Sequence, residues 1–82
     1  MKWHVYVIEC KNKSLYTGIT TDLKRRFSEH KRGVGCKFSA YNPARKLVYS
    51  ETFKTRSAAS KREAEIKGWT RAEKLAVIRG MS

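Results

Sequence analysis

The sequence predicts an α/β domain: a small three-stranded central sheet flanked by three helices, in the order β-β-α-β-α-α. Three observations carry this expectation. Trp3–Cys10 and Ser14–Thr20 have strand-like patterning and are separated only by the polar turn Lys11-Asn12-Lys13, which is how a hairpin reads. Leu23, Arg26, Phe27 and His30 then recur at i, i+3, i+4 and i+7, and Ala59, Arg62, Glu63 and Ile66 repeat that spacing, so each set lies on one face of a helix. Finally, Thr70-Arg71-Ala72-Glu73 has the form of a capping box that opens a third helix.

Taken in order, Trp3, Val5 and Val7 point one way from the first strand, and His4, Tyr6 and Ile8 the other. If the turn pairs Cys10 with Ser14, Ile8 faces Tyr16 and Tyr6 faces Gly18. Tyr6 and Tyr16 then share a sheet face, and a one-residue slip would separate them. Asp22 or Thr21 caps the first helix, which is expected to run to about Lys31 and end at Gly33. Lys31 to Lys46 reads as a long loop of glycines, basic residues and two aromatics. Leu47–Phe53 is the third strand. Thr55 or Ser57 opens the second helix, which ends at Gly68. Ala72, Leu75, Ala76 and Ile78 are the expected inner face of the third, which Gly80 stops, and Trp69 between them belongs to the core.

The 82 residues form one expected domain, 1–82. A chain of this size buries about 60–65% of its unfolded surface, enough for one modest core. No apolar run approaches the roughly 18 residues that span a membrane. Met1-Lys2 leads into strand-like alternation and not an apolar signal core, so a cytoplasmic location is expected. Lys and Arg number 19 against 7 Asp and Glu, a net charge of +12. Such self-repulsion calls for a polyanion, with nucleic acid the expected partner. No helix combines a basic side with exposed Trp or Phe, which weighs against a membrane surface. Cys10 and Cys36 have no Cys-x-x-Cys context and read as reduced buried or loop thiols.

The chemistry concentrates in charges placed where hydrophobes are expected. Leu23 and Phe27 claim the core, so Arg26 and His30 share the inward edge of their stripe, whereas Arg25 lies about 200° from Leu23, in water. On the second helix Glu63 sits on the apolar face and Glu65 faces solvent. Tyr6, Tyr16, Arg26, His30 and Glu63 are therefore the candidate active-site set. An inward carboxylate suits one hard divalent ion, Mg²⁺ or Mn²⁺, completed by waters. Arginine suits a phosphate and the negative charge of a transition state. A tyrosine hydroxyl beside cations suits a general base. Other readings stay open: core tyrosines with hydrogen-bonded hydroxyls, an Arg26–Glu63 structural ion pair, and His30 as a favourable cation at its helix end. In the long loop, Phe38 and Tyr41 either stack on bases or pin the loop to the core.

At Val5-Tyr6-Val7, Tyr16-Thr17-Gly18 and Asp22-Leu23-Lys24-Arg25-Arg26 with His30, the chain resembles the GIY-YIG nuclease superfamily. It looks most like the small stand-alone members related to the excision-repair nuclease domain and the Slx-type nucleases. The likeness spans about Lys2 to Ile78, including Leu47-Val48-Tyr49-Ser50-Glu51 and Arg62-Glu63-Ala64-Glu65-Ile66-Lys67. It implies a metal-dependent endonuclease that hydrolyses DNA phosphodiesters, on branched or damaged duplex, in repair or recombination. The alternative is a non-catalytic nucleic-acid-binding module of the same fold. The resemblance makes Tyr6 and Tyr16 the signature tyrosines, with Tyr16 the general base, Arg26 the transition-state cation, His30 an aid to proton transfer or phosphate contact, and Glu63 the metal ligand. Gly18, Lys24, Arg25, Lys31, Arg32, Lys37, Phe38, Tyr41 and Arg45 are the expected nucleic-acid contacts. A protein partner is not indicated. Thr17 departs from the usual isoleucine, and the late asparagine of some members has no counterpart after Glu63.

Overall fold

The structure is a computed structural model, and it describes residues 2–33 and 43–80. Its elements are β1 (Trp3–Cys10), β2 (Leu15–Thr20), α1 (Leu23–Arg32), β3 (Ala44–Phe53), α2 (Arg56–Lys67) and α3 (Arg71–Gly80). The sheet order is β2-β1-β3, antiparallel throughout, so β1 is central and β2 lies at one edge.

The hairpin register is the expected one, with Tyr6 opposite Gly18 and Ile8 opposite Tyr16. The turn closes through Cys10 N–H to the Ser14 carbonyl, Ser14 N–H to Asn12 Oδ1, and Lys13 in the left-handed region at φ 70°. One face of β1 carries Tyr6, Ile8 and Cys10, which pack with Ala44, Tyr16, Leu23 and Phe27, so α1 covers that side. The other face carries Val5 and Val7, which pack with Ala59 and Ile66 of α2, and Trp69 and Ile78 close the same cluster. Strand alternation thus sends the two halves of the core to opposite faces of a single sheet.

Helix termini follow local chemistry. The Asp22 carboxylate accepts from Arg25 N–H, and Gly33 ends α1 in the left-handed region at φ 78°. The Thr55 hydroxyl accepts from Ala58 N–H at the start of α2. Thr70 and Glu73 cap α3 reciprocally.

Several boundaries differ from expectation. β3 begins at Ala44, not Leu47, because Cys10 pairs with Ala44 once two register shifts let β3 continue along β1. Ala44, Arg45 and Lys46, expected in the long loop, thus belong to β3, and Lys37, Phe38 and Tyr41 lie outside the described residues. Gly80 is still helical. The inner face of α3 also needs correcting. Ala72 and Ala76 are exposed, whereas Lys74, Leu75, Val77 and Ile78 are half-buried. Packing on Trp69 and the sheet turns the longer side chains inward and leaves the alanines, which have little area to bury, in water.

Candidate active site

The β1–β2 register and one face of α1 bring four polar residues together on one sheet face. Tyr6, 2% exposed, lies with its hydroxyl 2.9 Å from His30 Nε2. Arg26 Nε donates to the same hydroxyl at 3.4 Å. The Tyr16 ring lies 5.0 Å from the His30 ring and 6.4 Å from that of Tyr6, centroid to centroid. Gly18 completes the floor, since it faces Tyr6 across the hairpin with its backbone close to the Tyr6 hydroxyl.

His30 is fully buried, although it sits in the last turn of a helix. Desolvation holds its pKa below the ordinary histidine value, and the nearby Arg26 charge lowers it further, with Glu29 opposing. Neutral imidazole is therefore the resident form at neutral pH. The Tyr6 hydroxyl thus accepts from Arg26 and shares a hydrogen bond with His30 Nε2 whose direction follows the imidazole tautomer.

Arg26 is held from two sides. Its Nη1 pairs with Glu29 at 3.1 Å while its Nε is on Tyr6, and both interactions raise its pKa. Its other guanidinium N–H groups remain for an anion. Arg26 pairs with Glu29, and Glu63 with Lys67, in place of the Arg26–Glu63 ion pair that the sequence left open as an alternative. The i, i+3 spacing of Arg26 and Glu29 was a sequence signal that could have revealed their pairing.

Glu63 comes from the other side of the sheet. Ala59 and Ile66, which bracket it on α2, pack under Val5 and Val7. Arg62 and Glu63 flank that buried stripe, about 100° apart. Arg62 reaches β3, where it binds Glu51, so Glu63 takes the opposite flank, the β2 side. The Glu63 side chain is 23% exposed and pairs with Lys67 Nζ at 3.4 Å. A hydrated Mg²⁺ or Mn²⁺ takes as few as one or two carboxylates; the Glu63 carboxylate is a ligand of that kind, and here it is engaged by Lys67. Among the described residues no group of three or more His, Cys, Asp or Glu offers a closed cage.

Of the expected nucleic-acid contacts, Lys24, Arg25, Lys31 and Arg32 are exposed on α1 and Arg45 is exposed at the start of β3. Sequence reasoning missed the hydroxyl of Thr17. It is 3% exposed and, among the described residues, has no hydrogen-bond partner.

This arrangement of sheet, hairpin and flanking helices is that of a GIY-YIG catalytic domain, whose family model matches residues 2–76. The chain belongs to that family. It is 51% identical over 71 residues to a UPF0213 protein of Haloquadratum walsbyi, covering 87% of this chain and 80% of the relative. A UPF0213 protein of Staphylococcus saprophyticus is 43% identical over 77 residues, 94% of each chain. The solution structure of a UPF0213 protein from Bacillus halodurans superposes with a TM-score of 0.61 at 38% identity, covering 96% of this chain and 84% of that one. That of a protein from E. faecalis gives 0.65 at 34% identity, with 99% and 86% covered. Among the described residues no helix is long and apolar enough to cross a membrane.

Proposed function

We propose that this domain is a metal-dependent endonuclease that hydrolyses phosphodiester bonds of DNA, with branched or damaged duplex as the substrate class. The observation that carries the proposal is the Tyr6 hydroxyl held between His30 Nε2 at 2.9 Å and Arg26 Nε at 3.4 Å, on the face that also presents Tyr16. The net charge of +12 and the family's catalytic domain support it.

In hydrolysis a water oxygen bonds to phosphorus as the bond to the leaving oxygen breaks. Negative charge grows on the non-bridging oxygens. Tyr16 is only partly buried, so it is the tyrosine that substrate can reach; in its phenolate form it takes the proton of the attacking water, and solvent water protonates the leaving oxygen. Arg26 donates its remaining N–H groups to the charged phosphate oxygens. Tyr6 and His30 are too buried to touch the phosphate. They hold the Arg26 guanidinium in place, with His30 in its neutral form. Glu63 would hold one Mg²⁺ or Mn²⁺, and such an ion supplies Lewis-acid stabilisation when bound.

The test is nicking of branched and duplex DNA with Mg²⁺ or Mn²⁺ by wild type, Tyr16→Phe, Arg26→Ala and Glu63→Ala. Each substitution is expected to slow cleavage by roughly 10²-fold or more. Undiminished cleavage by all three variants rejects the proposal. One observation favours a second reading, a DNA-binding module that grips without cutting: Lys67 already occupies the Glu63 carboxylate. Salt-sensitive DNA binding by the wild type, with no metal-dependent nicking, is the outcome that selects it.

A further inference from the structure

We infer that the cleft between the β1–β2 hairpin and the start of α3 is a second phosphate-binding subsite, one that takes a backbone phosphate flanking the bond to be cut. This rests on the nucleic-acid reading above and deepens it. The cleft has a volume of about 210 Å³ and is lined by Ser14, Leu15, Arg71 and Lys74. At ~30 Å³ per water it has room for roughly seven waters, ample for a phosphate group.

Its lining selects an anion. Arg71 and Lys74 are three residues apart on α3, so two like charges share one helix face, an unfavourable arrangement unless an anion sits between them. Among the described residues neither has an ion-pair partner. Ser14 adds a hydroxyl donor from the hairpin. Lys74 is anchored, because it also lines the apolar space beneath Val7, Tyr49, Ile66 and Trp69. Lys74 is half-buried and lines both spaces, so packing of its stem lowers the ordering cost of binding. The helix start itself contributes little, since Thr70 and Glu73 already satisfy each other's backbone N–H groups.

Its position selects nucleic acid. Leu15 packs into the core on the α2 and α3 side of the sheet, and Tyr16, the next residue, faces the opposite side. The cleft and the candidate active site therefore lie on opposite faces of β2, at consecutive residues of the strand. β2 is an edge strand, so a polyanion can wrap around it. A strand of DNA with one phosphate at Tyr16 and Arg26 that passes round this edge brings a flanking backbone phosphate to the cleft.

The experiment measures DNA affinity in metal-free buffer over a range of salt concentrations. It compares wild type with Arg71→Gln and with Arg71→Gln/Lys74→Met, the methionine keeping the buried stem. Affinity of the double variant is expected to fall roughly tenfold or more near 0.1 M salt, and the slope of log K against log salt to flatten by about 1.8. With metal present, KM rises and kcat at saturating DNA is unchanged. An unaltered slope overturns the inference. So does an equal flattening in Lys54→Met/Lys61→Met, which removes two exposed cations elsewhere. Arg71→Gln alone changes only an exposed side chain, and half the effect is expected from it. Inorganic phosphate at constant ionic strength should bind weakly and be displaced by DNA, and tight phosphate binding that DNA does not displace overturns the assignment to nucleic acid. The two proposals fail separately, because undiminished cleavage by Tyr16→Phe, Arg26→Ala and Glu63→Ala rejects the nuclease reading and leaves the salt slope of the cleft variants to be judged alone.

Discussion

A β-carbon on Gly18 would stand 2.5 Å from the Tyr6 hydroxyl, closer than unbonded atoms approach. The two residues face each other across the hairpin, and Tyr6 is buried under α1 with its hydroxyl already on His30 and Arg26. The glycine is there for space, since its own φ is not among the positive ones.

Gly18→Ala therefore forces either the Tyr6 ring or the β2 backbone to move. We expect a loss of about 1–3 kcal/mol, the usual cost of overpacking. Activity should fall further than in Tyr6→Phe, which keeps the ring in place. Urea titrations and nicking rates of the two variants check this, and wild-type stability in Gly18→Ala would contradict the crowding.

His30 links the site to pH. Its pKa is lowered in the folded state, chiefly by desolvation and then by Arg26, so the unfolded chain binds the proton more readily. The contribution is fully present above the unfolded value of about 6.5, and it is lost as pH falls through that value toward the lower folded one. Urea midpoints between pH 8 and pH 5 should drop at the acid end for wild type. The drop should be shallower in His30→Gln, and parallel profiles would show that His30 does not carry the effect.

Thr17 has a buried hydroxyl with no partner among the described residues, on the face of β2 that meets α2. Replacing it by valine removes an unsatisfied polar atom at nearly constant shape. Thr17→Val is expected to stabilise the fold by about 1 kcal/mol and to leave DNA cleavage alone. A lower melting temperature would mean that the hydroxyl is satisfied in solution.

Arg62 ties three elements together. It binds Glu51 of β3 through Nε and Nη2, pairs with Glu65, and lies 4.9 Å from the Trp69 ring centre. Glu51 also accepts the Tyr49 hydroxyl. The Arg62–Glu51 pair is partly exposed, at 27% and 22%, so solvent screening discounts it. A double-mutant cycle of Arg62→Met and Glu51→Gln should give a coupling of about 1 kcal/mol. Coupling near zero would leave Trp69 stacking as the role of Arg62.

Sequence alone determined whatever depends on neighbours within a few residues. The alternation of Trp3–Cys10, the short turn, the cap at Thr70 and the stop at Gly33 are local choices of backbone and hydrogen bonding, whereas the sequence left Asp22 or Thr21 and Thr55 or Ser57 open and the structure uses Asp22 and Thr55. Periodicity also chose Arg26 over Arg25 for the inward edge, and the turn length set the register that puts Tyr6 and Tyr16 on one face. Only the tertiary structure decided what meets across the sheet. Helical spacing says that Glu63 faces inward, but not under which face α2 packs, and burial of Ala59 and Ile66 against Val5 and Val7 settled that. Equally, nothing local brings Arg71 and Lys74 to Ser14, because those residues meet through the shared core beneath them. A residue's direction is set by bonds to its neighbours, whereas its company is set by which apolar faces bury the most area together, and that is a property of the whole chain.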